Sequence, residues 1–572
     1  MWKDKLDIIQ NYPIRWLQRD LTAGATLAFV ALPQSMAYAL IAGVDPVYGL
    51  YAFMVGSIVG AVFGSSRHLQ TGPTNASSII VASSLVAFQT FENVMGLVFL
   101  LSLLSGGIQL LAGILKLGNL TQFLSRSVLV GFIAGAGLLI AINQLPNLLG
   151  IKGRSNESIF DGLWHIFSEL ESIQPEALAL GVGTILMVLL LNRISPKTAL
   201  GVAIMPSYLM AILTAAFAVM AFQLDQQGIR VVGHIPGSLP PFSIPVLKWE
   251  FVQALTPGAI AIALIGFAES TSAAKTVAAF TGDRLNMDRE FLGQGLAKIA
   301  TAFFSGLPVS GSLTRTQLCF RSGAETYLAN VYAGILLSVI VLFFSPLVKY
   351  IPLASLAGIV MVIAGSMVDW PYVRLALRST RADALAMVVT FVTALLFPLD
   401  VAIYIGVGVS LALFLRRVQT PRLIELDYQP GKGFRELNGQ QLRSIPEVAM
   451  IHVEGDVFFG AVDFLEDQIL KIALRDEVKV VILRLKRACC LDATSVTALS
   501  KIAHDLRREG KQLYISGATE EIARILQRAG IIEVIGSDHI FRSGETIFNS
   551  TYQALKQAVS QLNRQLGKQY RV

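Results

Sequence analysis

Two polar segments interrupt an otherwise apolar stretch of this sequence. Residues 70–78 read QTGPTNASS, and residues 308–317 read PVSGSLTRTQ. Each combines Gly or Pro with Ser and Thr, the residue types that begin helices. A helix that begins inside an apolar environment leaves its first N–H groups unpaired and carries about half a positive charge at that end. Two such helix ends facing each other predict an anion-binding site.

Arg315 adds a charge to this predicted site that protons cannot remove, because guanidinium stays ionised at any physiological pH. At membrane depth such a charge costs at least about 2.5 kcal/mol, so it needs a partner or a role. A bound anion is one partner; the alternatives are an ion pair with Glu269 or a side chain that reaches the cytoplasmic surface. The remaining predicted contacts are Thr74, Asn75, Ala76, Ser312, Leu313 and Thr314.

Glu269 is the second ionisable group in apolar surroundings, within the sequence IALIGFAESTSAA. Desolvation favours its neutral form, and a nearby Arg315 opposes that effect. A carboxyl group held between these two influences is suited to carry a proton together with a substrate. The alternative is a fixed helix contact, with Glu269 paired to Lys275 or bonded to the backbone.

The elements that position these residues are membrane spans, each needing about 20 mostly apolar residues. Twelve stretches fit, with soft boundaries, and the two polar segments bring the predicted total to fourteen. The twelve are Leu21–Gly43, Val47–Gly64, Met95–Leu115, Val128–Gly150, Ala177–Leu191, Ala199–Phe222, Phe251–Ala268, Phe291–Leu307, Tyr327–Val348, Leu353–Val368, Ala384–Phe397 and Leu399–Leu415.

The distribution of Lys and Arg supports this count. With the amino terminus inside, basic residues such as Arg67, Arg126 and Arg381 concentrate in the even-numbered connections, and few, such as Lys152 and Arg154, fall in the odd ones. Basic residues favour the cytoplasmic side. Both termini are therefore expected in the cytoplasm, in a plasma membrane of the bacterial inner-membrane type.

The two polar segments occupy matching places in the two halves of the membrane region. Thr74 follows Gln34 by about 40 residues, and Thr314 follows Glu269 by about 45, as expected of a weak internal repeat. Seven spans per repeat make the second copy inverted. Interrupted helices at matching positions of inverted repeats mark the central site of a transporter. The alternative is that Gly and Pro merely loosen two packed helices.

Composition separates the membrane region from a soluble one. The 572 residues are 53% hydrophobic and only 15% charged, against roughly 25% charged in soluble chains, and charge returns to ordinary density after Arg416. We expect a transport domain at 1–420, a linker at 421–445 and a cytoplasmic domain at 446–566. The net charge of +7 comes with no basic stripe that would bind nucleic acid. The three cysteines show no metal or disulfide pattern.

Four ordered motifs resemble the SulP family of sulfate permeases and related anion transporters: HLQTGPT (68–74), GHIPGSLP (233–240), GFAESTSAAKTVA (266–278) and SGSLTRTQ (310–317). The resemblance runs over nearly the whole chain. It implies two inverted seven-span repeats divided into a mobile core and a gate. It also implies that the amino ends of the third and tenth spans hold the anion, that the core moves against the gate in alternating access, and that the protein forms a homodimer.

The resemblance also assigns individual residues. Arg315 falls on the family's binding-site arginine and Thr314 on the hydroxyl position before it, while Gln34 and Tyr38 match pocket positions of the first span. Glu269 lies at the acidic position of the eighth span. Sodium-coupled bicarbonate relatives have Asp there, followed four residues later by Thr; this chain has Ala273, which weakens a sodium site and favours protons.

The tail alternates strand-like and helical patterns, typical of a small sheet with crossover helices, and resembles the STAS domain. In related signalling antagonists a serine follows the Asp of one strand-to-helix turn and is phosphorylated. Here the turn reads Asp492-Ala-Thr-Ser495, so that position is Ala493, while Thr494 and Ser495 remain modifiable. We expect the tail to act in dimer contact and in regulation by a partner protein.

These observations predict a secondary active transporter of an inorganic anion, in particular sulfate imported with protons, without a cofactor. One alternative is sodium-coupled or uncoupled transport of bicarbonate, nitrate or chloride, or of a dicarboxylate. Nucleobase permeases share the architecture, but a neutral base gives Arg315 no role. A third alternative is a membrane-tethered signalling scaffold that acts through the STAS domain. An enzyme is disfavoured, because no nucleophile with a base and no phosphate-binding loop is found.

Overall fold

The structure is a computed structural model of the chain. It describes residues 5, 10–88, 91, 93–118, 125–151, 164, 166–194, 207–233, 237–418, 422–437, 442–457, 461–473, 475–489, 491–544, 548–567 and 569–570. The chain divides into two compact units, Met1–Ser410 and Leu411–Val572.

The first unit is almost entirely helical. Its elements are α1 (Ile14–Ile41), α2 (Pro46–Phe63), β1 (Thr71–Pro73), α3 (Asn75–Leu85), α4 (Val94–Ile114), α5 (Arg126–Leu149), α6 (Pro175–Ile194), α7 (Ser207–Phe222), α8 (Trp249–Thr281), α9 (Met287–Phe303), β2 (Val309–Gly311), α10 (Leu313–Arg321), α11 (Leu328–Val348), α12 (Leu353–Met367), α13 (Trp370–Ser379), α14 (Arg381–Leu396) and the first part of α15 (Leu399–Val418), a helix that continues past Ser410 into the second unit.

Many of these helices are long and apolar enough to cross a bilayer. Within the described residues eight stretches meet the criteria of length and composition, and three shorter apolar helices, α3, α7 and α11, accompany them. The fold is that of a polytopic helical membrane protein. The number of fourteen spans and the inverted repeat stay predictions.

The two polar segments form a strand followed by a short helix in each case. Strands β1 and β2 have three residues each, and helices α3 and α10 have 11 and 9 residues. At about 1.5 Å per residue neither helix can cross a bilayer by itself. Both helices therefore begin inside the membrane unit, next to the two-stranded ladder that β1 and β2 form.

Small residues let the helices around this ladder approach closely. On α4, a Cβ added to Gly106 would lie 2.9 Å from the carbonyl oxygen of Gly295 on α9. A Cβ added to Gly60 on α2 would lie 2.4 Å from Oγ1 of Thr71 in β1. Small residues replace hydrophobic burial as the basis of helix association in membranes, so α2, α4, α9 and β1 form one tightly packed group.

The second unit is a six-stranded sheet with helices, as expected of a STAS domain. Its elements are β3 (Arg422–Gln429), β4 (Gly433–Glu436), β5 (Val448–Asp456), α16 (Val462–Ala473), β6 (Val480–Cys489), α17 (Ala493–Arg508), β7 (Gln512–Ala518), α18 (Glu520–Arg528), α19 (Ile531–Ile535), β8 (Ile540–Arg542) and α20 (Asn549–Leu566). The strand order is β4-β3-β5-β6-β7-β8.

The segment 421–445, which the sequence predicts as a linker, differs from that expectation. It contains β3 and β4, which pair antiparallel with each other, and β3 also pairs antiparallel with β5. Gly431 (φ 81°) lies in the turn between the strands and Gly433 (φ 80°) begins β4. Glycine takes this conformation without a steric penalty, so the Gly-rich composition here marks a hairpin.

The Asp492 turn begins α17. The Asp492 carboxylate accepts a hydrogen bond from the Ser495 amide at 2.8 Å and another from the Ser495 hydroxyl at 2.7 Å. The Ser495 side chain is buried, while Thr494 beside it is exposed. Asp492 therefore acts as a helix cap, and Thr494 is the accessible hydroxyl of this turn.

Some predicted features lie outside the described residues. These are Ala199–Pro206 of one predicted span, residues 234–236 of the GHIPGSLP motif, Lys152, Arg154, Cys490, Pro421 and residues 438–441 of the predicted linker.

Candidate functional site

The ladder between β1 and β2 places the starts of α3 and α10 on either side of one site. The strands are antiparallel, with Thr71 opposite Gly311 and Pro73 opposite Val309. Each strand leads directly into its helix, so the helices leave from opposite ends of the ladder with their amino ends directed toward it. The positive ends of two helix dipoles therefore meet in the same region of the fold.

Both helices carry a hydroxyl cap. The Thr74 hydroxyl accepts from the Ser77 amide at 3.4 Å, and the Ser312 hydroxyl accepts from the Arg315 amide at 3.4 Å. Each cap satisfies one of the amides that a helix start leaves unpaired. At this level the two predicted helix starts are equivalent.

The two helix ends differ in how many amides stay available. At α3 the Asn75 side-chain oxygen accepts from the Ala76 amide at 2.8 Å. At α10 the amides of Leu313 and Thr314 have no acceptor among the described residues. The end of α10 therefore offers more free donors for an anion than the end of α3, and Ala76 offers neither a polar side chain nor a free amide.

Arg315 points toward the ladder. Its side chain is only 1% exposed; Nε donates to Oε1 of Gln70 at 2.6 Å, and Nη2 donates to the Pro73 carbonyl at 2.7 Å. This geometry excludes a side chain that reaches the cytoplasmic surface. No carboxylate lies within ion-pairing distance of the guanidinium in the described part of the chain, so the expected alternative of an Arg315–Glu269 pair is also absent there.

One guanidinium nitrogen is left over. Nη1 of Arg315 is buried and has no hydrogen-bond acceptor among the described residues. A buried donor without an acceptor costs about 1–3 kcal/mol, and more when it is charged. Nη1 is therefore a charged donor for which the described part of the protein supplies no acceptor.

Gln70 holds Arg315 in this orientation. Its side-chain amide donates to the Ser57 hydroxyl at 3.3 Å and to the Thr71 carbonyl at 2.9 Å, which leaves Oε1 directed at Arg315. Gln70 lies at the start of the polar segment 70–78, but its residue type alone did not predict this role. The sequence feature that could have identified Gln70 is a long amide side chain in a tight turn of otherwise small residues.

Tyr38 and Gln34 lie on α1 beside this site. The Arg315 guanidinium carbon is 5.8 Å from the ring centre of Tyr38 and 5.8 Å from that of Phe53 on α2. Gln34 is one turn before Tyr38, and its buried Oε1 has no partner among the described residues. Aromatic rings near a guanidinium stabilise its charge through their faces, so Tyr38 and Phe53 act on Arg315 directly.

Glu269 is bonded to the first short helix. Its Oε2 accepts from the Thr74 hydroxyl at 3.1 Å, which connects α8 to the start of α3. Lys275 forms no ion pair with Glu269 in the described part of the chain. Since α8 continues to Thr281, beyond the predicted end at Ala268, Glu269 lies well inside the helix and its side chain is half-buried.

The predicted site residues differ in solvent exposure. Thr314 and Leu313 are exposed, and Asn75 and Ser312 are half-buried, whereas Thr74 and Arg315 are buried. The Ser312 and Thr314 hydroxyls lie 3.2 Å apart at the start of α10. The accessible part of the candidate site is therefore the start of α10, with Thr74 and Arg315 buried behind it.

Gly72 makes the close packing at Arg315 feasible. A Cβ at this position would lie 3.0 Å from Cδ2 of Phe53 and 3.1 Å from Nη2 of Arg315. Real Cβ atoms seldom come so near to other atoms. The Gly in the TGPT sequence is therefore explained by the guanidinium that passes beside the strand.

A further charged residue near the candidate site, Lys298 on α9, was not predicted from the sequence. It is fully buried, and its ammonium donates to Oε1 of Gln109 on α4 at 2.6 Å. A lysine within the apolar run GLAKIATAFF is the signal that identifies it, because charged residues inside spans are rare and functional.

Comparison with known proteins shows the class. The Sulfate permease family profile matches residues 17–390, and the STAS domain profile matches residues 440–559. The first match covers most of the chain, so the chain belongs to the sulfate permease family and carries a C-terminal STAS domain.

Individual relatives are similar over nearly their whole length. A putative sulfate transporter of Bacillus subtilis, YvdB, is 29% identical over 536 residues, which are 93% of this chain and 97% of that protein. The murine Solute Carrier 26 family member A9 anion transporter, in the inward-facing state, superposes with a TM-score of 0.87 and 18% identity, covering 97% of this chain and 93% of the other.

A second solved structure matches the membrane unit. The transmembrane domain of a cyanobacterium bicarbonate transporter, BicA, has a TM-score of 0.61 and 25% identity, and the match covers 68% of this chain and 98% of that domain. Both structural matches confirm the helical membrane fold.

Proposed function

We propose that this protein is a secondary active transporter of an inorganic anion, most directly sulfate imported together with a proton. One observation carries the proposal: the buried guanidinium of Arg315, with Nη1 left without a protein acceptor, lies at the start of α10, where two backbone amides are also free. A negatively charged solute satisfies all of these donors at once.

Sulfate is the preferred substrate because of the proteins to which this chain is similar. The Bacillus subtilis relative is described as a putative sulfate transporter, and the matching family is that of sulfate permeases. The structural neighbours are described as an anion transporter and a bicarbonate transporter, which keeps bicarbonate, nitrate and chloride as competitors. Helix ends and one guanidinium recognise charge more than shape. Membership in a family of permeases also favours a transporter over an enzyme.

Protons are the proposed coupling ion. Glu269 accepts a hydrogen bond from Thr74 at the start of α3, so its protonation changes the charge next to the bound anion. Ala273, four residues later, supplies no oxygen ligand for sodium. Movement of a core containing α3, α8, α9 and α10 against a gate would then carry anion and proton across together.

The tail is proposed to serve assembly or regulation. Its Asp492 turn has Ala493 at the position where signalling relatives carry a serine. The accessible hydroxyl of this turn is that of Thr494, since Ser495 is buried. We propose a homodimer and a regulatory protein partner at this domain.

Uptake into proteoliposomes tests the proposal. Purified full-length protein is reconstituted, and the uptake of labelled sulfate, bicarbonate, nitrate and chloride is measured with proton and sodium gradients imposed separately. Saturable sulfate uptake driven by an inward proton gradient is the expected result. Uptake of no anion above empty liposomes contradicts a transport function, and uptake driven by sodium alone contradicts proton coupling.

A further inference from the structure

Lys298 places a second cation beside the proposed anion site. Its side chain is 0% exposed, in the middle of α9, and its ammonium donates to a neutral amide oxygen, that of Gln109, at 2.6 Å. No carboxylate lies within 4 Å of this ammonium among the described residues. A buried ammonium without an adjacent acid is costly, so its charge needs a function.

The position of Lys298 relative to Glu269 follows from Gly266 on α8. A Cβ added to Gly266 would lie 2.8 Å from the Lys298 ammonium and 3.6 Å from the Ser310 hydroxyl in β2. Gly266 precedes Glu269 by three residues and so shares its helix face. Glycine here leaves the space that the ammonium occupies, about one helical turn from Glu269.

The region therefore holds two cations and one acid. Arg315 comes from α10, Lys298 from α9 and Glu269 from α8, and Glu269 interacts electrostatically with both cations. The other elements packed around them contribute neutral groups within the described residues: Tyr38 from α1, Gln109 from α4, Gln70 before β1, Thr74 at the start of α3 and Ser310 from β2. With Lys298 and Glu269 both ionised and no substrate bound, the set carries a net single positive charge.

Moving net charge through the low-dielectric membrane interior is unfavourable. A divalent anion neutralises Arg315 and Lys298 together, and the total is zero only when Glu269 also holds a proton. A monovalent anion neutralises the same set when Glu269 stays ionised. The valence of the anion therefore decides whether a proton accompanies it.

We propose that Lys298 is a specificity-determining residue whose ammonium makes a divalent anion travel with one proton and a monovalent anion travel without one. This inference rests on the proposed anion transport through Arg315 and Glu269. Without the Lys298 charge, a divalent anion plus a proton leaves one excess negative charge. Without that charge, a monovalent anion bound together with a proton brings the total charge of the site to zero.

The Lys298→Gln variant of the reconstituted full-length protein tests whether the Lys298 charge sets the proton requirement. Sulfate uptake relative to nitrate uptake should fall at least about tenfold, and nitrate uptake should become stimulated by an inward proton gradient that has no effect on it in the wild type. Lys298→Arg keeps the charge and should keep the wild-type ratio. Lys275→Gln removes a lysine from the exposed surface of α8 and is the matched control.

Gln109→Glu is a second test that leaves the lysine in place. A carboxylate at this position lies beside the ammonium and cancels its charge, so the variant should shift the sulfate-to-nitrate ratio and the proton dependence of nitrate uptake in the same direction as Lys298→Gln. If Lys298→Gln does not fold, the Gln109→Glu variant tests the role of the Lys298 charge by itself.

The outcomes separate the two proposals. A wild-type protein that transports neither anion contradicts the proposed function, and this inference with it. A wild type that transports anions, with Lys298→Gln or Gln109→Glu retaining the wild-type ratio and a nitrate uptake insensitive to protons, overturns only the role of Lys298.

Discussion

The starts of α3 and α10 are two versions of one arrangement that differ in charge. Both follow a three-residue strand, and both have a hydroxyl cap, Thr74 or Ser312. The α3 start has its second amide bonded by Asn75 and its cap hydroxyl bonded to Glu269. The α10 start keeps two amides free and adds Arg315. One end is therefore suited to respond to a proton and the other to hold the anion.

The difference also concerns what stabilises each charge. Arg315 is bonded to residues of the opposite half of the ladder, Gln70 and Pro73, so the charge of the α10 end depends on the position of β1. Glu269 is bonded to the α3 end through Thr74. The α10 end is thus tied to the β1 segment and the α3 end to α8, so substitutions at the two ends should give different defects.

The largest effect is expected from Arg315→Ala. Loss of a charged hydrogen-bond donor costs about 1.5–3 kcal/mol, which weakens anion binding roughly tenfold to a hundredfold, so no saturable uptake is expected at the anion concentrations that saturate the wild type. Arg315→Lys keeps the charge but loses the fork to Gln70 and Pro73, so partial activity is expected. Uptake kinetics in proteoliposomes at equal protein content measure this, and normal uptake by Arg315→Ala removes the residue from the site.

Glu269→Gln should abolish the stimulation of uptake by an inward proton gradient and preserve anion exchange, because the amide mimics the shape of the protonated acid but cannot release a proton. Counterflow and gradient-driven uptake are compared over a range of pH. Glu250→Gln, at an exposed acid on the same helix, is the control. A pH dependence equal to that of the wild type would reject the proton role.

Gly72→Ala should raise the KM for the anion by up to about tenfold and leave the pH dependence unchanged. The new Cβ crowds Phe53 and the Arg315 guanidinium; overpacking of this kind costs about 1–3 kcal/mol of folding free energy, and about 1.4 kcal/mol of it acting on anion binding corresponds to a tenfold change. Gly107→Ala on α4, where a Cβ meets nothing within 4 Å, is the matched control. An unchanged KM would show that the position of Arg315 does not depend on this contact.

The smallest effects should come from the two caps. Thr74→Ala and Ser312→Ala each remove a cap, at a cost of about 1 kcal/mol in the free energy of unfolding. Only Thr74→Ala also removes the hydrogen bond to Glu269, so only that variant should shift the pH profile of uptake, and Thr74→Ser should restore it. Equal shifts in both alanine variants would mean that Thr74 acts on Glu269 no more than Ser312 does.

Much of the architecture was predictable because hydropathy and helix-start chemistry are local properties of the chain. The apolar helices, the two interrupted segments and the alternating pattern of the tail all follow from residue order. Strands β1 and β2 were not predictable, since three residues show no periodicity. The helix α8 continues to Thr281, past the predicted span end at Ala268, because the polar run from Glu269 to Ser272 ends an apolar stretch without ending the helix.

The site was predictable in its residue types and less so in its contacts. Arg315, Thr314, Glu269 and Tyr38 lie together as expected, and Ala76 lies at the right helix end but contributes no free group. The partners of Arg315 were missed because they come from a segment about 245 residues away in the chain. Lys298 was missed because it lies in a helix whose other residues indicate only a span.

Residue order alone determined that this chain enters a membrane, where its two short helices begin, and that one arginine and one glutamate lie within apolar sequence, since each of these depends on neighbours in the chain. Only the tertiary structure decided that Gln70 and Pro73 bind the guanidinium, that Nη1 stays free, and that Lys298 lies a turn from Glu269. Such pairings arise from the packing of helices distant in sequence, where small residues such as Gly72 and Gly266 leave room for charged side chains.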